Sequence, residues 1–280
     1  MTRRLEGRIC LVTGSTGIAG ASAMRLAAEG AGVFVVSRTA GHAESLAERI
    51  RAAGGNAAAC AADLVDEVQV ETAVGACVSS FGRIDGLLSV AGGSGRRFGD
   101  GPIHELTADG WDRTLELNLR SQALVSRAVV RQMLGQVKDA AGIRGSIVLV
   151  SSVLATHPVP GLFETHAYAA SKGAIGALAL SMAAAYASSG IRVNVLSPGL
   201  TDTPMAARAA ADPATVAFAR RKQPLVDGFV LADDVAAAAV FLLADESRAI
   251  TGQVIAVDGG WTVTPAAVAE PADTGPGTPA

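Results

Sequence analysis

The 280-residue chain predicts an α/β fold, a single-domain doubly wound sheet of about seven parallel strands with helices on both faces. Three observations carry this. Short β-rich apolar runs alternate with longer helical stretches, the pattern of successive βαβ units. Half of the residues are hydrophobic and 18% are charged, enough apolar side chain for one sizeable core. The first apolar run passes straight into a small-residue turn that opens a helix.

Strands are expected at Ile9–Thr13, Val33–Ser37, Ala57–Ala61, Gly86–Val90, Ser146–Ser151, Arg192–Ser197 and Val254–Val257. Helical patterns fall between them at Ala19–Glu29, His42–Ala53, Glu67–Phe81, Trp111–Leu134, Ala167–Ser188 and Asp233–Ala244. After the sixth strand, about residues 204–228 read as a helical lid. Residues 1–263 thus make one domain. Residues 264–280, where Pro265, Pro271, Pro276 and Pro279 stand among Ala, Gly and Thr, read as a flexible tail.

The formal net charge of −3 comes from interleaved acids and bases, so neither nucleic acid nor an anionic membrane is the expected partner. A small-molecule function is the default. The first ten residues lack the apolar core of a signal peptide. The longest mostly apolar helical stretch, Ala174 to Ala187, is broken by Gly176 and Ser181 and is too short to span a bilayer. A cytoplasmic protein is expected. Cys10 and Cys60 fall in strands that read as buried and Cys77 on a helix, so all three are expected to be inert core thiols. His42, His104, His157 and His166 are scattered, and no metal site is expected.

In an open parallel sheet, ligands bind at the carboxyl ends of the strands. The first strand runs into Gly14-Ser15-Thr16-Gly17-Ile18, where small residues let backbone amides at a helix start approach a pyrophosphate. A merely structural turn is the plainer reading of such glycines alone; their place after the first strand favours the functional one. The second strand ends at Ser37-Arg38. An acid there would hold the ribose 2′-hydroxyl of NAD, whereas a guanidinium suits the 2′-phosphate of NADP. A solvated strand-end arginine is the alternative. At Asp63-Leu64 the carboxylate either accepts from an adenine amino group or caps the next helix.

The chain has two tyrosines, and Lys138, Lys172 and Lys222 are its lysines. Tyr168 and Lys172 stand four apart on one helix and so share a face. A nearby cation lowers a phenol's pKa toward a range where it exchanges a proton with an alcohol or ketone. Tyr186 is five turns further along the same helix, too far to join them. Ser152 ends the fifth strand, where its hydroxyl can bond a substrate oxygen, with Ser151 as the adjacent alternative facing the other way. Asn118 is a polar residue inside an apolar helical stretch and, if buried, needs partners such as a backbone group and a water.

With these residues in this order, the chain resembles the short-chain dehydrogenase/reductase family, of the single-domain Rossmann kind that includes 3-oxoacyl-carrier-protein reductases. Further markers are Ala91-Gly92, Pro198-Gly199 with Thr203, and Asp258-Gly259-Gly260. The resemblance runs from about Leu5 to Val263. It implies transfer of a hydride between NADP(H), with NAD(H) second, and a ketone or secondary alcohol. Tyr168 is the implied general acid/base. Lys172 is implied to lower its pKa and hold the nicotinamide ribose, Ser152 to position the carbonyl, and Asn118 to anchor a water-linked proton relay. Ala91, Gly92, Pro198, Gly199, Thr201 and Thr203 join the implied cofactor contacts, and a homo-oligomer, tetramer or dimer, is implied. A catalytically silent cofactor-binding scaffold is the alternative.

There are departures from the family pattern. The glycine turn is one residue short, with Ala19 in the place of its third glycine, and Ser89-Val90 replaces Asn-Asn. About three extra residues separate Ser152 from Tyr168, with Leu162 to His166 beside the site. Within the lid, Arg208, Arg220, Arg221 and Lys222 either meet an acidic substrate or form a solvated face.

Overall fold

A computed structural model describes residues 3–265, so nearly all of the expected tail lies outside the described residues. The strands are β1 (Ile9–Thr13), β2 (Gly32–Ser37), β3 (Asn56–Ala61), β4 (Gly86–Ser89), β5 (Gly145–Val150), β6 (Ile191–Pro198), β7 (Thr201–Asp202), β8 (Val230–Leu231) and β9 (Val254–Val257). Seven of them form one parallel sheet in the order β3-β2-β1-β4-β5-β6-β9, as the sequence predicts. The order reverses between β1 and β4, which opens a crevice at their carboxyl ends. The expectation did not include β7 and β8. They pair parallel to each other outside the main sheet, Thr201 with Val230 and Asp202 with Leu231, and so close the base of the segment between them.

The strands sort their side chains by alternation. Cys10, Val12, Val33 and Val35 pack on one face with α1 (Gly17–Ala28) and α2 (Ala40–Ala52). Leu11, Phe34 and Val36 pack on the other with α3 (Glu67–Phe81). Both faces are covered, and that is why these strands read as continuous apolar runs rather than alternating ones. Cys10 and Cys77 are buried, and burial pushes both thiols up to about 12. Cys60 departs from expectation: it is only half-buried, because β3 is the sheet's edge strand.

Helix α3 starts where Asp66 accepts from the amides of Val68 and Gln69, and it ends at Gly82, whose φ of 82° is a left-handed stop. The cap is therefore Asp66, not Asp63. The single helix expected over Trp111–Leu134 is instead α4 (Ala108–Leu115), a π turn over Glu116–Arg120, and α5 (Ser121–Leu134). Thr107 caps α4 through the Gly110 amide. Helix α6 (His166–Tyr186) packs beside α4 and the π turn, and the lid holds α7 (Ala207–Ala210) and α8 (Pro213–Lys222) before α9 (Ala232–Leu243).

Candidate active site

The carboxyl ends of β1, β4, β5 and β6 border a cavity of about 810 Å³. Its first wall is the glycine turn. Gly14 and Gly17 hold φ of 95° and 53°, which side chains rarely adopt. A Cβ on Gly17 would lie 2.9 Å from Thr203 Cγ2, and one on Gly14 would lie 3.0 Å from the Ala19 methyl. Thr16 stands at the cap of α1 without a side-chain bond, and no acid occupies the first turn. The positive end of the helix is thereby left for an outside anion. Beside it, the Ser15 and Ser37 hydroxyls are 3.2 Å apart. Arg38 follows, exposed and without an ion pair among the described residues.

The facing wall is built by α6 and the end of β5. Tyr168 and Lys172 lie one turn apart, with the lysine Nζ 5.6 Å from the centre of the phenol ring. Lys172 is buried and donates to the Val150 carbonyl at 2.9 Å. Burial pulls its amine down to about 8. The strand stops at Val150, so both serines follow it. Ser151 donates to the Lys172 carbonyl at 2.7 Å and braces the helix backbone. Ser152 faces the phenol. Burial pushes Tyr168 above its ordinary value, and the hydroxyl of Ser152 works in the opposite direction. This differs from the expected lowering by Lys172, because desolvation is the larger influence on the phenol and the ammonium is bonded to Val150.

Asn118 is fully buried in the π turn. Its Oδ1 accepts from the Gly93 amide at 2.9 Å, and its Nδ2 donates to the carbonyls of Gly93 and Thr114 at 3.0 and 2.9 Å. The side chain thus uses backbone groups alone. A Cβ on Gly92 would sit 2.5 Å from that Oδ1, so the loop needs glycine there. The Thr13 hydroxyl accepts from the amides of Val90 and Ala91 at 3.0 and 3.1 Å and ties the loop after β4 to the end of β1.

Comparison with known proteins agrees with this geometry. A family model described as enoyl-(acyl carrier protein) reductase matches residues 12–262. The chain is 35% identical over 255 residues to a cis-4-hydroxycyclohexanecarboxylate dehydrogenase from Sinomonas cyclohexanicum, covering 91% of this chain and 96% of that one. It is 33% identical over 261 residues to a 3-oxoacyl-[acyl-carrier-protein] reductase from Thermotoga maritima, covering 93% and 100%. The chain belongs to the short-chain dehydrogenase/reductase family. A solved structure of a putative NAD(P)-dependent gluconate 5-dehydrogenase from Beutenbergia cavernae, with bound NADP, superposes with a TM-score of 0.81 at 33% identity, covering 94% of this chain and 99% of that one. The protein is an oxidoreductase.

Of the residues singled out in this short-chain dehydrogenase/reductase, Gly14 to Ile18, Ala91, Gly92, Ser152, Tyr168 and Lys172 line the cavity, as do Pro198, Gly199, Thr201 and Thr203. Ser37, Arg38, Asp63, Leu64 and Asn118 do not. Asp63 Oδ1 accepts from the Val65 amide at 3.2 Å. Among the lid cations named above, Arg208 alone lines the cavity, because Arg220, Arg221 and Lys222 sit on α8 beyond it.

Sequence reasoning missed Asp100. It is 5% exposed, and its carboxylate accepts from the amides of Ala167 and Tyr168, each at 3.0 Å. Thr165, at the cap of α6, makes no side-chain bond, so the loop after β4 supplies the cap from 68 residues away. Only the Asp-Gly-Pro turn at Asp100 to Pro102 marks the place in the sequence. Asp100→Ala is expected to cost about 1–2 kcal/mol in urea unfolding. It should also lower kcat while leaving the cofactor KM unchanged, with partial recovery in Asp100→Asn. Unchanged kcat in a destabilised Ala variant would confine Asp100 to folding.

Proposed function

We propose that the chain transfers a hydride between NADP(H) and a ketone or secondary alcohol, with Tyr168 as general acid/base. The observation that supports this reading most is the meeting of Ser152, Tyr168 and Lys172 on one cavity wall opposite an uncapped, acid-free helix start. Nothing observed favours a silent scaffold. The residues fit a dinucleotide. The turn from Gly14 to Ile18 offers amides to a pyrophosphate, Asp63 keeps a carboxylate oxygen for an adenine amino group, and Thr203 and Lys172 border the nicotinamide end. When bound, the dinucleotide supplies or accepts the hydride.

The remaining steps belong to the protein. The Ser152 hydroxyl bonds the substrate oxygen and holds it toward the phenol. In reduction, Tyr168 Oη gives its proton to that oxygen as negative charge develops there; in oxidation it takes the proton back. Lys172 holds a positive charge below the phenol and stabilises the phenolate left behind. Asn118 fixes Gly93 and the π turn, and so anchors the water-linked proton relay that the family likeness implies. The homo-oligomer implied by the family likeness belongs to the same reading, with α4, α5 and α6 as its contact helices.

NADP preference rests on Arg38, whose guanidinium forms no ion pair among the described residues. Across a panel of ketones and secondary alcohols followed at 340 nm, turnover with NADP(H) should exceed that with NAD(H). Arg38→Ala should raise KM for NADPH roughly 10- to 100-fold, the worth of a charge-assisted bond, and leave NADH nearly unchanged. Equal losses for the two cofactors would remove Arg38 as the discriminator.

A further inference from the structure

Four cations line the cavity, Arg96, Arg97, Arg208 and Lys172, and no aspartate or glutamate does. In a chain with a net charge of −3 this is a local reversal of sign. Two of the four are already engaged: Lys172 with the Val150 carbonyl, and Arg97 over the Phe98 ring at 4.4 Å. Arg96 gives one donor to a backbone carbonyl, and Arg208 has no side-chain hydrogen bond among the described residues. They come from segments far apart in the chain, the loop after β4 and α7, and both are exposed at the cavity's mouth. Neither forms an ion pair among the described residues.

Their placement is not that of two freely solvated side chains. Arg96 Nη2 donates to the Leu162 carbonyl at 3.3 Å, which ties it to the extra residues between Ser152 and α6. Its guanidinium is held below its usual value, first by partial desolvation and then by the like charge of Arg208. Asp100 and Glu164 act the other way. Both have other bonds, Asp100 with the amides of α6 and Glu164 with the Gly161 amide at 3.0 Å. Asp212, which faces Arg208, is likewise occupied, by the amides of Ala214 and Thr215 and the Thr215 hydroxyl. Folding therefore brings two cations to one opening that, among the described residues, no carboxylate lines. An entering anion relieves that repulsion and takes up their donors.

The wall behind them has the opposite character. Trp261, 1% exposed, packs edge-on to Phe218 at 5.5 Å and tilted against Phe163 at 6.1 Å. Trp261 and Phe163 line the cavity with Val153 and Leu154. A ligand that satisfies both regions has an apolar body and an anionic end. The pyrophosphate of a dinucleotide has its own place at the start of α1, beside Thr203 and Pro204.

We propose that Arg96 and Arg208 form an anion subsite for the substrate's head group. The substrates are then ketones or secondary alcohols whose apolar body carries a carboxylate or a phosphate. The word substrate rests on the oxidoreductase reading above; the anion subsite is tested without it, by binding. Cyclohexanecarboxylate, cyclohexyl phosphate and the uncharged cyclohexanecarboxamide have no alcohol to oxidise. They are titrated calorimetrically into the wild type and into Arg96→Gln/Arg208→Gln, with and without NADPH. At least one anion should bind the wild type about 10-fold or more tightly than the amide, and the double variant should hold all three within about 3-fold of one another. The tighter of the two anions names the head group. Equal binding of all three to the wild type overturns the proposal. So does a preference that survives in the double variant, or no anion binding at all. If the variant loses NADPH affinity about 10-fold while keeping the anion preference, the arginines serve the cofactor and the proposal fails. Absence of turnover on any alcohol or ketone would instead count against the oxidoreductase reading alone.

Discussion

Tyr168→Phe is expected to lower kcat by about 10²–10⁴-fold in both directions, the usual worth of a positioned acid/base. The substitution removes one oxygen and keeps the ring, so the packing at the start of α6 survives and the loss falls on the chemical step. Substrate and cofactor KM should change little, since the phenol gives its proton only as the substrate oxygen gains charge. The pH dependence follows from the raised pKa of the buried phenol. Near neutrality the phenol is protonated and ready to serve ketone reduction. Alcohol oxidation needs the phenolate, so its rate should climb with pH until Lys172, held at about 8, loses its charge. Ser152 opposes the rise, and Ser152→Ala should move that limb to higher pH. Undiminished turnover in Tyr168→Phe, followed at 340 nm, would remove the tyrosine from the chemistry.

Lys172→Met should trade activity for stability. Burial lowers the amine from 10.5 to about 8. Between those values the unfolded chain binds more protons than the folded one, so stability rises with pH across that window. Below about 8 the full cost of burying the ammonium is present. A shift of this size is worth about 3 kcal/mol at pH 7, and the lost bond to the Val150 carbonyl offsets about 1 of that. The variant is therefore expected to be about 1–2 kcal/mol more stable at pH 7, with the margin shrinking toward pH 10. Its kcat should fall about 10²-fold or more, because the charge beneath the phenolate is gone. Urea unfolding at two pH values with parallel kinetics checks both parts. A variant less stable than wild type at pH 7 would show that the buried amine carries no cost of this size.

The fold was legible because each strand is buried on both faces and so prints as an unbroken apolar run between helical stretches. Even the weakest, β3 with its Ala and Cys residues, stands out by its place between α2 and α3. The glycine turn, Tyr168 and Lys172 were legible for a different reason. Each depends on residues within one turn of each other, where spacing fixes geometry. The π turn at Asn118 was not, since its cause is the pairing of that side chain with Gly93, 25 residues back. The choice between Ser151 and Ser152 was open in the sequence for a similar reason. It depends on where α6 lies, which the strand's own pattern does not contain.

By itself, the sequence determined the doubly wound sheet, the family likeness and the few positions proposed for acid/base chemistry. Local pattern and composition carry that information. The tertiary structure alone decided how α6 is held, by Asp100 from the loop after β4. It also decided that burial, rather than Lys172, is the larger influence on the phenol. The same packing brought Arg96 and Arg208 from separate segments to one opening that, among the described residues, no carboxylate lines, beside an aromatic wall. Desolvation and like-charge repulsion depend on distances across the fold, and those distances exist only once the chain has closed on itself.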